Sequence, residues 1–255
     1  MKFFFIVILS VFSLHIANAQ DATTNKSKPE KSKKDKVINT AFPQKIAVAH
    51  PSDHFVIQFG SDSWMNKPDS AHTKGGRHFN FYLMTDKPFK TNPKFSVAYG
   101  LGIGSSNIYF DKSNVDIKNK TKPYFNYDGS THFSKNKVTE IFLELPVELR
   151  YTLNPENPNK SWKFAVGAKV GTLIKAYTKG KDLQDSKGVS IYGPTFIEKE
   201  YSKNFFNSTR LSLTGRIGYG NFSLSAGYTL TPAIKSGFTS TDINTLSVGL
   251  TISGL

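Results

Sequence analysis

Between Glu140 and Leu153 the chain alternates without a break. Ile141, Leu143, Leu145, Val147, Leu149, Tyr151 and Leu153 share one parity, and Glu140, Phe142, Glu144, Pro146, Glu148, Arg150 and Thr152 share the other. A helix, at about 3.6 residues per turn, would scatter those charges around its circumference, whereas a strand, with a period of two, gathers them on one side. The segment is therefore expected to be a strand with one apolar and one charged face, and its neighbours must repeat that division.

Seven other runs do so. Phe55, Ile57 and Phe59 oppose Val56, Gln58 and Gly60; Phe79, Phe81 and Leu83 oppose His78, Asn80, Tyr82 and Met84; Phe95, Val97, Tyr99, Leu101 and Ile103 oppose small residues from Ser96 to Gly104. After the central run, Trp162, Phe164, Val166, Ala168, Val170 and Ile174 face away from Lys163, Ala165, Gly167, Lys169, Gly171 and Lys175. Leu211, Leu213 and Ile217 oppose Arg210, Ser212, Thr214 and Arg216, and two more runs follow, Phe222–Leu230 and Leu246–Ser253. The gaps between successive runs are roughly 17, 10, 35, 8, 34, 4 and 15 residues, the alternation of long loops and short turns expected of an outer-membrane barrel. Lys90-Thr91-Asn92-Pro93, Asn154 to Asn159 and Gly220-Asn221 supply turn residues at the short gaps. The expectation is an all-β, eight-stranded, antiparallel, up-and-down transmembrane β-barrel over residues 54–255, with both mature ends in the periplasm.

Alternation does not by itself say which face is inside. A soluble periplasmic barrel would turn its apolar face inward around an apolar ligand, and a membrane barrel would turn it outward to lipid. The membrane arrangement is preferred because Glu140, Glu144, Glu148, Arg150, Lys163, Lys169 and Lys175, joined by Arg210 and Arg216, share the less apolar face with many glycines. Acids and bases aligned beside glycine suit a narrow interior of compensating ion pairs. Tyr151, Trp162, Phe222 and Tyr228, near run ends, suit an interfacial girdle.

The N-terminus agrees with export. Lys2, a short apolar run from Phe3 to Ile16 and Ala17-Asn18-Ala19 describe a signal peptide over residues 1–19. Residues 20–53 read as a disordered basic leader, since six lysines between Lys26 and Lys36 stand among polar residues with no large apolar side chain before Val37. No later stretch reaches the roughly 18 apolar residues of a spanning helix. The absence of cysteine removes disulfides, thiol catalysis and thiolate metal sites. A net charge of +14 on an exported chain points to outer-membrane lipid or an acidic envelope partner rather than nucleic acid.

Chemistry has little purchase in the sequence. His50, His54, His72, His78 and His132 form no metal-binding spacing, and no nucleophile elbow or phosphate-cradling loop occurs, so neither enzyme activity nor a cofactor or metal is expected. The lumen charge cluster is read either as a static plug of salt bridges or as a gated ion path or a binding site for an acidic segment. The second candidate site is a pair of long loops, Asp111–Lys137 and Thr178–Ser208, carrying Tyr124, Phe125, Tyr127, Tyr192, Phe196 and Tyr201 among lysines, where recognition residues tend to gather.

Glu144-Leu145-Pro146-Val147-Glu148-Leu149-Arg150-Tyr151, a turn, and Ala165-Val166-Gly167-Ala168-Lys169-Val170-Gly171 resemble the central hairpin of the PorT-like outer-membrane β-barrel proteins of Bacteroidota. That resemblance implies a cell-envelope barrel with an accessory or assembly role in type IX secretion, and secretion proteins as partners.

Overall fold

A computed structural model describes residues 55–118, 121–127 and 130–254. The proposed signal peptide and leader lie outside the described residues.

Eleven strands follow in order: β1 (Phe55–Met65), β2 (Thr73–Pro88), β3 (Phe95–Phe110), β4 (Ser113–Asp116), β5 (Tyr124–Tyr127), β6 (Thr131–Thr152), β7 (Trp162–Asp185), β8 (Ile197–Tyr201), β9 (Thr209–Tyr219), β10 (Phe222–Thr229) and β11 (Asn244–Ser253). Eight of them close a ring, β6-β3-β2-β1-β11-β10-β9-β7, sealed by β6 against β7 and by the first strand against the last, all antiparallel. These eight are the runs expected from the sequence. Closure leaves no edge in the ring, so the backbone polar groups of a lipid-facing wall can pair within the sheet.

The faces resolve the inside–outside question. Phe59, Phe79, Leu101, Leu145, Val166, Leu213, Leu224 and Val248 are exposed on the outer surface, and Glu144, Glu148, Arg150, Asn80 and Thr251 are buried on the inner one. A ligand-binding barrel with an apolar interior is therefore set aside. Near the short turns Tyr151 packs on Phe95 with ring centroids 4.9 Å apart, and Trp162 meets Tyr219 edge-on at 5.8 Å, forming part of an aromatic girdle.

Interior side chains differ around the ring. The β10–β11 wall offers Ser223, Ser225, Gly227, Ser247, Gly249 and Thr251, while β6, β7 and β9 carry the long charged groups. Small residues on one wall leave room for long ones from the other.

Two of the expected boundaries change. β6 and β7 run on to Thr131 and Asp185, where they pair with each other, so much of the sequence read as loops 111–137 and 178–208 is strand. β4 and β5 form a hairpin within the first of these loops, and β8 adds to β7 in the second. The periodicity fades there because the buried face of the extension carries polar residues, His132, Asn136, Thr178 and Asp182, so burial no longer separates apolar from polar side chains.

The wall also carries two irregularities. The β3–β6 ladder passes from Tyr99↔Val147 to Gly102↔Glu144, interrupted around Pro146, which has no N–H to donate. A bulge shifts β7 so that Ile141 faces Lys175 and Phe142 faces Leu173, leaving Ile174 as the extra residue.

At the long-loop end the connections fold back over the barrel mouth. Trp64, Ile108, Phe110, Val138, Phe142 and Leu173 from the wall pack with Ala71, Val115, Ile117, Phe125, Phe205, Phe206, Ile234 and Ile243. Phe206 and Ile234 also pair as an isolated bridge. An apolar cap thus lies above a polar lumen.

Candidate functional site

Glu144 is the hub of the lumen. Its side chain is fully buried, and Gly104 and Gly171 flank it because a Cβ at Gly104 would lie 2.6 Å from its Oε2 and one at Gly171 3.0 Å from its Cγ. Tyr82 donates its hydroxyl to Oε2 at 2.6 Å, and Lys169 donates to the same oxygen at 3.2 Å. Lys169 also reaches the Tyr82 hydroxyl at 3.2 Å. Arg210 covers Oε1 through Nε at 3.1 Å and through a terminal nitrogen, while its guanidinium lies 3.9 Å from the centroid of the Phe142 ring.

One layer nearer the short turns, Arg216 grips Glu148 with two hydrogen bonds, 3.1 Å to Oε1 and 2.6 Å to Oε2. Such a fork-to-fork pair fixes both partners in orientation as well as distance. Arg150 adds a third bond to Glu148 at 2.9 Å and reaches Asp86 at 3.6 Å. Lys163 lies beside this layer, lining a small cavity of about 30 Å³ with Asp86, Arg150 and Arg216.

On the other side of the lumen Asp62 accepts from Ser106 and sits 2.8 Å from Nδ1 of His78. Asn80 donates to Gln58 at 3.2 Å. These residues and the charged hub bound a second cavity of about 30 Å³, room for a few waters at most. Glu140 is buried within the apolar cap, opposite Ala176 and one inward position beyond Phe142, and its Oε1 has no hydrogen-bond partner.

The structure thus brings Glu140, Glu144, Glu148, Arg150, Lys169, Arg210 and Arg216 into the lumen and places Lys163 at its short-turn mouth. Lys175 is the exception: the bulge at Ile174 turns it onto the outer face, where its Nζ lies 4.7 Å from the Tyr201 ring centroid. Sequence reasoning missed Asp62, Tyr82, Asp86, Ser106 and the Asp62–His78 pair. Extending the alternation of the first two runs by a few residues puts Asp62 and Asp86 on the inner parity, and that was the available signal.

The candidate recognition residues divide. Phe125 belongs to the cap, against Phe110 at 5.9 Å and Trp64 at 6.3 Å, so it is a packing residue. Tyr124 and Tyr192 are exposed, Tyr192 leaning on half-buried Phe196 at 5.0 Å. Tyr201 is exposed beside Tyr177 at 5.4 Å. Tyr127 enters through its backbone, opposite Ser113. Among the described residues no group of His, Cys, Asp and Glu has the geometry of a metal centre.

No curated protein matches the chain. Among solved structures, a triple mutant of the Rh. blastica porin aligns over 78% of this chain and 99% of its own at 7% identity, with a TM-score of 0.14. The model of the outer membrane protein beta-barrel domain matches residues 59–235, from the first strand to the loop before the last. The match covers most of the ring together with the charged lumen, and the chain belongs to that outer-membrane β-barrel family.

Proposed function

We propose that this protein is a non-conducting, non-catalytic outer-membrane barrel that holds a rigid recognition surface outside the cell, with both chain ends in the periplasm. One observation carries the reading: the lumen is filled by the Glu144 and Glu148 ion-pair layers and capped by apolar loops, while β6 and β7 continue past the cap to present β8 and its aromatic neighbours. Barrels of this size are filled by their own side chains, so transport is not what the interior is built for. The orientation follows from the rule that long loops face outward and short turns inward. Outer-membrane lipid is the constant partner, and no cofactor is required.

A second reading, an accessory role in type IX secretion, draws on the likeness of the Glu144–Gly171 hairpin to the PorT-like proteins. The two readings part in experiment. Replacing residues 186–196 by a short turn is expected to leave a heat-modifiable, folded barrel that no longer captures an envelope partner; unchanged capture would overturn the recognition reading. Retention of secreted cargo in cells lacking the whole protein, but not in cells carrying the trimmed one, would favour the accessory role.

A further inference from the structure

Above the apolar band, the outer face of the extension gathers lysines from neighbouring strands, with Asp185 at its far end opposite Thr131. Lys137, Lys179 and Lys199 stand opposite one another across β6, β7 and β8, and Tyr109 of β3 completes the row. Lys135 and Lys181 form the next pair outward. Toward the membrane the next row is Arg77, Asn107, Thr139, Tyr177 and Tyr201, and below it Lys175 faces Ile141 in line with Phe79. Like charges directly opposed across strands destabilise a sheet unless something neutralises them.

Nothing within the described chain does so. Arg77, Lys135, Lys137, Lys175, Lys179, Lys181 and Lys199 have no carboxylate partner among the described residues. The acids of β8, Glu198 and Glu200, point the other way, into a cavity shared with Asp116. What the cations do touch is aromatic or neutral: Arg77 and Lys137 lie over Tyr109 at 5.8 and 5.9 Å, Lys175 over Tyr201 at 4.7 Å, and Lys137 donates to Asn107 at 2.7 Å.

We propose that this face is a docking belt for the phosphorylated headgroups of lipids in the leaflet at the long-loop end. The occupant is chosen by position and charge. The cations continue the same outward face as Phe79, Ile141 and Ile174, at the height where acyl chains give way to headgroups, and tyrosines mark that level. A phosphate carries one or two negative charges and several acceptor oxygens, so it can bridge ammonium groups on strands about 5 Å apart and relieve the crowding of the lysine row. The assignment to the outer leaflet rests on the orientation given under Proposed function.

The test uses the full-length mature chain in phosphatidylcholine nanodiscs containing a small fraction of a bis-phosphorylated glucosamine lipid, or the same lipid without phosphates, with retained lipid read by native mass spectrometry. Preferential retention of the phosphorylated form is expected, reduced on the order of tenfold or more in Lys137→Gln/Lys179→Gln/Lys199→Gln. The triple variant Lys90→Gln/Lys94→Gln/Lys160→Gln at the short-turn end should retain lipid as the parent does, and heat-modifiable migration reports that both variants fold. Equal retention with and without phosphates, or no change in the lysine-row variant, would overturn the proposal. So would loss of an acidic protein partner in that variant with lipid retention intact, which would make the belt a protein-docking face. Orientation is read separately: Lys179→Cys, in a chain that has no cysteine of its own, should react with an impermeant maleimide on intact cells. Reaction only after permeabilisation would overturn the leaflet assignment, and the nanodisc result would still judge the lipid chemistry.

Discussion

Glu144 shows how an interior carboxylate is partnered on every side: Lys169 and Arg210 pair with it, Tyr82 completes its hydrogen bonding, and two glycines clear the space. Breaking such a cluster from one side leaves uncompensated charge behind. Glu144→Gln is expected to cost about 3–5 kcal/mol, measured as the shift in urea unfolding of the barrel in lipid vesicles. Adding Lys169→Met should recover part of that loss, because the two positions share one network and their effects do not add. Gly104→Val should also destabilise, since its side chain would enter the volume that the Glu144 carboxylate occupies, whereas Gly215→Ala, with open space around it, should unfold as the parent does. Equal midpoints for Gly104→Val and Gly215→Ala would contradict this account of the glycines.

At the level of strands, one extra residue decides the fate of a charge. Ile174 is inserted in β7, and everything beyond it changes side, so Lys169 points into the lumen and Lys175 out of it. Lys175→Leu is accordingly expected to change barrel stability by less than about 0.5 kcal/mol, and Lys169→Leu by several times more, in the same unfolding assay. The same bulge marks the limit of what the sequence discloses. Strict alternation from Trp162 to Gly171 exposed the strand, its faces and the position of Lys169, because inside the apolar band each side chain meets either lipid or a packed lumen. Parity counting carries no information about a bulge, so Lys175 went to the wrong face. Beyond the band the buried side of β6 and β7 carries His132, Asn136, Thr178 and Asp182, so the apolar–polar alternation that would have revealed β8 and the full length of the hairpin was absent. Phe125 was misread for a related reason: an aromatic in a long loop looks like a recognition residue until the loop is seen folded into the barrel mouth.

For the molecule as a whole, two layers lie in series along the lumen, the apolar cap and the ion-pair layers beneath it, and the proposed non-conducting barrel would be closed by both. Phe206→Ala should cost about 3–5 kcal/mol through the lost packing, yet planar-bilayer recordings should still show no stable conductance steps, because the Glu144 layer remains. Steps in that single variant would mean that the cap alone holds the pore closed. The ring itself is closed by its two most distant strands, Val56 pairing with Ser253, whereas β6 and β7 are joined by a short turn and zip over strands of 22 and 24 residues. Bringing remote segments together costs more chain entropy than forming a hairpin, so the hairpin is expected to gain amide protection first and the β1–β11 seam last when hydrogen exchange is pulsed during refolding into vesicles. The wall that arrives late is lined on its β10–β11 side by serine, glycine and threonine, with no long side chain that must thread past another. The smoothness of that wall gives the assembling chain a lid that can slide into place over an interior already filled, so the final step of folding need not undo any of the earlier ones.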